Sequence, residues 1–136
     1  MRVGMSLGYA GGFSKAVAEL ADFERAGLDI VFVPEAYSFD AVSQLGFIAA
    51  RTTRLQIGSG ILPIYSRTPA LTAMTAAGID FVSGGRFTLG IGASGPQVIE
   101  GWHGVPYDAP IPRVNRPPET KSIPAAVIAV SAGVRE

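Results

Sequence analysis

The sequence predicts an α/β fold built on parallel strands, and three observations predict it. Short, continuous apolar runs begin near residues 3, 28, 55 and 87. Each of the first three is followed by a stretch whose apolar residues recur at helical spacing. Glycine, proline or an N-capping residue punctuates nearly every change of period. Continuous apolar strands are covered on both faces, and strand–helix alternation at such intervals implies right-handed parallel crossovers. Two architectures fit at this level, a doubly wound sheet and part of a (β/α)8 barrel; periodicity does not separate them.

Val3 to Leu7 reads as the first strand, ending in a loop at Gly8, Gly11 and Gly12. From Ser14 the period changes: Phe13, Val17, Leu20 and Phe23 fall on one helical stripe, and Gly27 suits the residue just past the helix end. Leu28 to Val33 is a second strand, rich in β-branched residues and closed by Pro34-Glu35. Asp40 is placed to cap a helix carrying Ala41, Leu45, Ile48 and Ala49. Leu55 to Leu62 is the third strand, stopped by Pro63. Thr68-Pro69 opens a third helix with Leu71, Met74, Thr75, Ile79 and Val82 on its apolar side, and Gly84-Gly85 ends it. Phe87 to Ile91 is the fourth strand.

Composition narrows the function classes. The 136 residues carry eleven basic and eleven acidic side chains, which removes the electrostatic footprint of a nucleic-acid binder. There are no cysteines, so no disulfide framework, thiolate metal site or cysteine nucleophile exists. With one histidine, any metal site would be mostly carboxylate, and none is expected. No stretch reaches the ~20 apolar residues of a membrane span, and the start is too short an apolar run for a signal peptide. A soluble cytoplasmic protein acting on a small molecule is the expectation. The composition breaks near Pro110: sixteen of seventeen glycines lie before it, whereas Pro112, Pro117, Pro118 and Pro124 crowd the remainder.

In either architecture the working residues sit just past the C-terminal strand ends. That rule selects Gly8-Tyr9, Glu35-Ala36-Tyr37, Ile64-Tyr65-Ser66-Arg67 and Gly92-Ala93-Ser94-Gly95. Gly90-Ile91-Gly92-Ala93-Ser94-Gly95 is a literal G-x-G-x-x-G after a strand. An NAD(P)-binding module of Rossmann type asks for a helix there and an acid about 20 residues on. Gly101 and Pro106 cut the helix short, and no acid lies from Ala109 to Val114. The alternatives are a plain turn and a backbone N–H cradle for an anionic or planar cofactor. Glu35 is a candidate general base or cofactor hydrogen-bond partner; a solvated loop acid is the bland alternative. His103, beside Trp102, is a candidate catalytic residue against the alternative of a packing histidine. Arg67 is suited to a phosphate or carboxylate, or is a surface arginine. Neither Ser59 nor Ser94 lies in a G-x-S-x-G elbow, so a hydrolase triad has no support.

Three segments resemble a known family. Gly58-Ser59-Gly60-Ile61-Leu62-Pro63-Ile64-Tyr65-Ser66-Arg67-Thr68-Pro69-Ala70-Leu71 is similar to the third-strand segment of the luciferase-like flavin and deazaflavin oxidoreductases. Ser83-Gly84-Gly85-Arg86-Phe87-Thr88-Leu89-Gly90-Ile91-Gly92 resembles their fourth strand with its preceding turn. Ala93 to Gly104 resembles a loop of the branch dependent on coenzyme F420. The resemblance runs from Met1 to about Pro110. It implies the N-terminal half of a (β/α)8 TIM barrel, about four βα units, as a domain over residues 1–110. It implies F420 as cofactor, with FMN as the alternative, its ring lying over the strand ends. It also implies a non-prolyl cis peptide between Gly60 and Ile61 against one ring face, with the backbone of Ala93, Ser94 and Gly95 facing the cofactor.

Two departures bear on the chemistry. Glu35-Ala36 stands where alcohol- and sugar-phosphate-oxidising members carry Asp-His, and Ser94-Gly95-Pro96 lacks the Glu of the sugar-phosphate members. Hydride transfer to an activated double bond, or flavin-dependent oxygen insertion, remains open for a small organic substrate. Residues 111–136 show no such resemblance and are expected to form a divergent, irregular, poorly ordered tail, as in a frameshifted or truncated gene product. Reading the coding DNA in the other frames after the Pro110 codon checks that. A half-barrel also exposes its sheet edges and lacks the loops after strands 7 and 8 that usually hold phosphate. Weak cofactor binding or inactivity alone, and a homodimer through the exposed barrel edges, are expectations. A non-catalytic half-barrel that self-associates is the alternative.

Overall fold

The computed structural model describes residues 1–8, 12–37 and 39–107. The composition break at Pro110 and the tail 111–136 lie outside them. The elements alternate as β1 (Gly4–Ser6), α1 (Phe13–Arg25), β2 (Ile30–Pro34), α2 (Ala41–Arg51), β3 (Gln56–Pro63), α3 (Pro69–Ser83), β4 (Phe87–Thr88), β5 (Ile91–Gly92) and α4 (Pro96–Gly101). All pairings are parallel. The strand order is β1-β2-β3-β4, with β5 also pairing β3.

That order separates the two architectures. A doubly wound sheet reverses direction after its first strand, leaving that strand inside the sheet. Here β1 to β4 lie side by side in sequence order, with β5 continuing beside β3 as the second half of the fourth strand, which is the order of consecutive units in a (β/α)8 barrel.

The helices start where the sequence places their caps. The Asp40 carboxylate accepts from the Ser43 N–H at 2.8 Å, and the Thr68 hydroxyl accepts from the Leu71 N–H at 3.1 Å. Each satisfies one of the orphan donors of a helix N-terminus. The core lies between sheet and helices. Val31, Val33 and Ile57 from the sheet pack with Leu20 of α1 and with Leu45 and Ile48 of α2, all six fully buried.

Two elements depart from expectation. The fourth strand is split into β4 and β5, because Gly90 is drawn against β3. The Ser59 hydroxyl donates to the Gly90 carbonyl and accepts from the Gly90 N–H, both at 2.8 Å. In α3 the stripe is rotated. Ala73, Ala76, Ile79 and Ser83 are buried, whereas Leu71, Met74, Phe81 and Val82 are exposed. Small residues let α3 settle closely, and its near-uniform apolarity gives the sequence no polar face to mark the outside. Among the described residues no helix is long and apolar enough to cross a membrane.

Candidate functional site at the strand ends

The C-terminal ends of β2, β3 and β5 deliver their loops to one side of the sheet. Glu35 leaves β2, the turn Tyr65–Arg67 follows β3, and Ala93-Ser94-Gly95 follows β5. The segment after α4, residues 102–107, returns to the same side.

Glu35 and Arg67, both with side chains 11% exposed, form a fork-to-fork pair. Nη1 donates to Oε1 at 2.6 Å and Nη2 to Oε2 at 3.0 Å. Oε2 also accepts the Ala41 N–H at 2.8 Å, an orphan donor of the first turn of α2. Both oxygens of the candidate base are therefore engaged within the protein. Bidentate geometry of this kind fixes orientation as well as energy.

Gly60 and Ile61 lie at a β-bulge. Val33 pairs with Ser59 and Pro34 with Ile61, so Gly60 is the extra residue of β3. The Glu35 N–H then donates to the Ile61 carbonyl at 3.0 Å. The expected cis bond is corrected here: no cis peptide occurs among the described residues, and Gly60–Ile61 is trans. The extra residue is absorbed by the register shift instead.

His103 comes to Tyr37. Its Nε2 lies 3.4 Å from the Tyr37 hydroxyl, and the rings meet edge-on with centroids 5.6 Å apart. Trp102 also packs against Tyr37, with ring centroids 5.7 Å apart. On the β3 side, Tyr65 stacks on Tyr107 at 6.0 Å, and the Tyr107 hydroxyl donates to the Ser94 carbonyl at 3.1 Å. Tyr37 and Ser94 hold φ of 59° and 61°. Non-glycine residues in that region cost about 1–3 kcal/mol each and tend to cluster at ligand sites.

The candidate residues thus form two groups. Glu35, Gly60 and Ile61 are joined by the bulge, and His103 meets the same β2 loop at Tyr37; Ala93, Ser94 and Gly95 form the adjoining turn. The G-x-G-x-x-G stretch leads into a helix of six residues at Pro96, and its first glycine, Gly90, is packed against Ser59. The strand-end rule reached the segments containing Tyr37 and Tyr65 but did not single them out, and Tyr107 was missed. For Tyr37 and Tyr65 the available signal was a tyrosine three residues past the end of β2 and two past the end of β3.

Small residues lie at the strand ends. Gly8 has open space where a Cβ would stand, whereas a Cβ at Gly60 would press on the Pro34 backbone and one at Gly95 on the Gln97 side chain. Arg67, four residues past the end of β3, is committed to Glu35 and is not free for a phosphate tail.

The chain is similar to several known proteins. It is 43% identical over 115 residues to a protein of Mycobacterium tuberculosis named as a coenzyme F420-dependent oxidoreductase, covering 83% of this chain and 33% of that one. It is 35% identical over 92 residues to the 5,10-methylenetetrahydromethanopterin reductase of Archaeoglobus fulgidus, covering 67% of this chain and 27% of the relative. The solved coenzyme F420-dependent tetrahydromethanopterin reductase of Methanopyrus kandleri superposes with a TM-score of 0.68 at 25% identity, over 78% of this chain and 30% of that one. The chain spans about a third of the length of these relatives. The family model of luciferase-like monooxygenases matches residues 1–115. With the consecutive strand order and the F420-dependent relatives, this match shows that the chain belongs to the luciferase-like monooxygenase family.

Proposed function

We propose that this chain carries the ring-binding side of a deazaflavin-dependent oxidoreductase, with F420 as cofactor and FMN as the alternative. The observation that carries the proposal is the joint placement of the Gly60 bulge and the Ser94 turn at neighbouring strand ends, in a chain of this family. When bound, the cofactor supplies hydride transfer, or oxygen activation in the flavin case. The protein's part is to support, orient and shield the ring. Gly60 and Ile61 would contact one face, and the main chain of Ala93, Ser94 and Gly95 would flank it.

His103 is the residue we assign to proton handling near a small organic substrate. Its Nε2 and the Tyr37 hydroxyl form a polar pair on an otherwise aromatic wall. Glu35 belongs to the proposed site through Arg67 and the bulge. The departures at Ala36 and in the Ser94-Gly95-Pro96 turn favour reduction of an activated double bond or oxygen insertion over alcohol oxidation. Self-association is part of the same proposal, with the open sheet edges and the exposed face of α3 as the candidate contacts.

Titration of the full chain with F420, FMN and NADPH, followed by fluorescence, tests it. A saturable response to F420 is expected, with a weaker one to FMN and none to NADPH. Tight NADPH binding without a response to either ring cofactor would overturn the proposal in favour of a dinucleotide-binding module. His103→Asn should leave ring binding within about twofold and lower turnover about 10²-fold if it carries general acid–base work.

A further inference from the structure

The chain after β3 is held by the sheet only as far as Ile64. The Ile61 carbonyl accepts from Glu35, the Leu62 N–H donates to Gly90 at 2.9 Å, and the Ile64 N–H donates to Gly92 at 3.0 Å. Beyond that point Tyr65, Ser66 and Arg67 leave the ladder. A hydroxyl contact from Ser66 to the Pro63 carbonyl, at 3.0 Å, closes the turn locally. A long-range tie from the turn is Arg67, bound through both terminal nitrogens to a carboxylate 32 positions earlier. That carboxylate is itself anchored on the Ala41 N–H at the start of α2.

We infer that Glu35 and Arg67 are a positioning pair: they fix the Tyr65–Arg67 turn over the strand ends and, through the Tyr65–Tyr107 stack, hold the Ser94 turn in place. The links run from α2 through Glu35 to Arg67, along the backbone of the same turn to Tyr65, and through the ring stack to Tyr107 and the Ser94 carbonyl. A pair this buried adds little net stability, because desolvation of both ions offsets their attraction. What a bidentate pair does supply is a single geometry for the backbone that carries it. The role of that geometry in cofactor binding rests on the ring-binding function proposed above.

Hydrogen exchange by mass spectrometry on the full chain tests the pair without any cofactor. In Arg67→Met, exchange across residues 61–67 and 93–107 is expected to rise at least tenfold. Peptides from α1, β1 and β2 should stay within twofold of wild type. Arg67→Lys keeps the charge but loses the fork, and should fall between the two. Should Arg67→Met fail to fold, Glu35→Gln replaces it: the amide retains one acceptor for two donors. Unchanged exchange in both segments, or an equal rise over the whole chain, overturns the inference. An F420 titration of the same variants adds the functional arm, with affinity expected to weaken at least tenfold in Arg67→Met and less in Arg67→Lys. A wild-type chain that answers neither F420 nor FMN overturns the proposed function, while the exchange pattern still decides the positioning pair.

Discussion

At the scale of single residues, the glycines divide into those whose missing side chain is required and those where it is a cost. Gly90 is the first kind. A Cβ there would collide with the Ser59 carbonyl oxygen and press on that of Gly60. Those atoms belong to the β3 backbone, so neither can turn aside. Gly90→Ala should therefore destabilise the fold by about 3 kcal/mol, the upper range for overpacking. Gly78 is the second kind. It lies within α3, exposed, with nothing within 4 Å of an added Cβ. Gly78→Ala should stabilise by about 0.5–1 kcal/mol, through helix propensity and a less free unfolded chain. Urea denaturation of both variants beside wild type measures the two shifts. Equal and small effects would mean that the approach of Gly90 to β3 is looser than the geometry here.

At the scale of elements, strand and helix positions were legible because their signals are local. Apolar runs, Asp40, Thr68-Pro69 and Gly84 lie within a few residues of the boundaries they mark, and Gly84 closes α3 at φ 70°. What the sequence did not show depends on partners far along the chain. The split of the fourth strand needs Ser59, 31 positions away. The Glu35–Arg67 pair spans 32 positions, and neither residue announces the other. Arg86 is a third case. Its guanidinium donates to the Ala49, Thr52, Leu55 and Ser83 carbonyls and to the Thr52 hydroxyl. It thereby joins the end of α2, the start of β3 and the turn into β4. Arg86→Met keeps much of the stem but leaves carbonyls without their donor. An unmet buried acceptor costs about 1–3 kcal/mol, so the variant should lose at least about 2 kcal/mol in thermal or chemical unfolding. A loss below about 0.5 kcal/mol would mean that water replaces the guanidinium and that the junction is held by the sheet alone.

At the scale of the whole molecule, the consecutive parallel order settled what periodicity left open between a barrel and a doubly wound sheet. The orientation of α3 was hidden for the opposite reason: a helix whose one charged residue is Asp80 has no charged face to mark a period. The consequence is a surface feature. Leu71, Met74, Phe81 and Val82 all stand exposed on α3, with Met74 at 72% and Phe81 at 86%. Neighbouring large apolar side chains on one helix form the kind of patch that drives association of otherwise soluble chains. The chain should therefore self-associate in a concentration-dependent manner, measurable by sedimentation velocity or light scattering. Met74→Lys and Phe81→Lys remove apolar surface without touching the buried stripe of Ala73, Ala76 and Ile79. Exposed substitutions of this sort change stability by about 0.5 kcal/mol or less. The double variant should accordingly keep its unfolding midpoint while its association weakens. Persistence of the same association in the double variant would move the contact from α3 to the sheet edges, where the outer strands carry unpaired backbone groups.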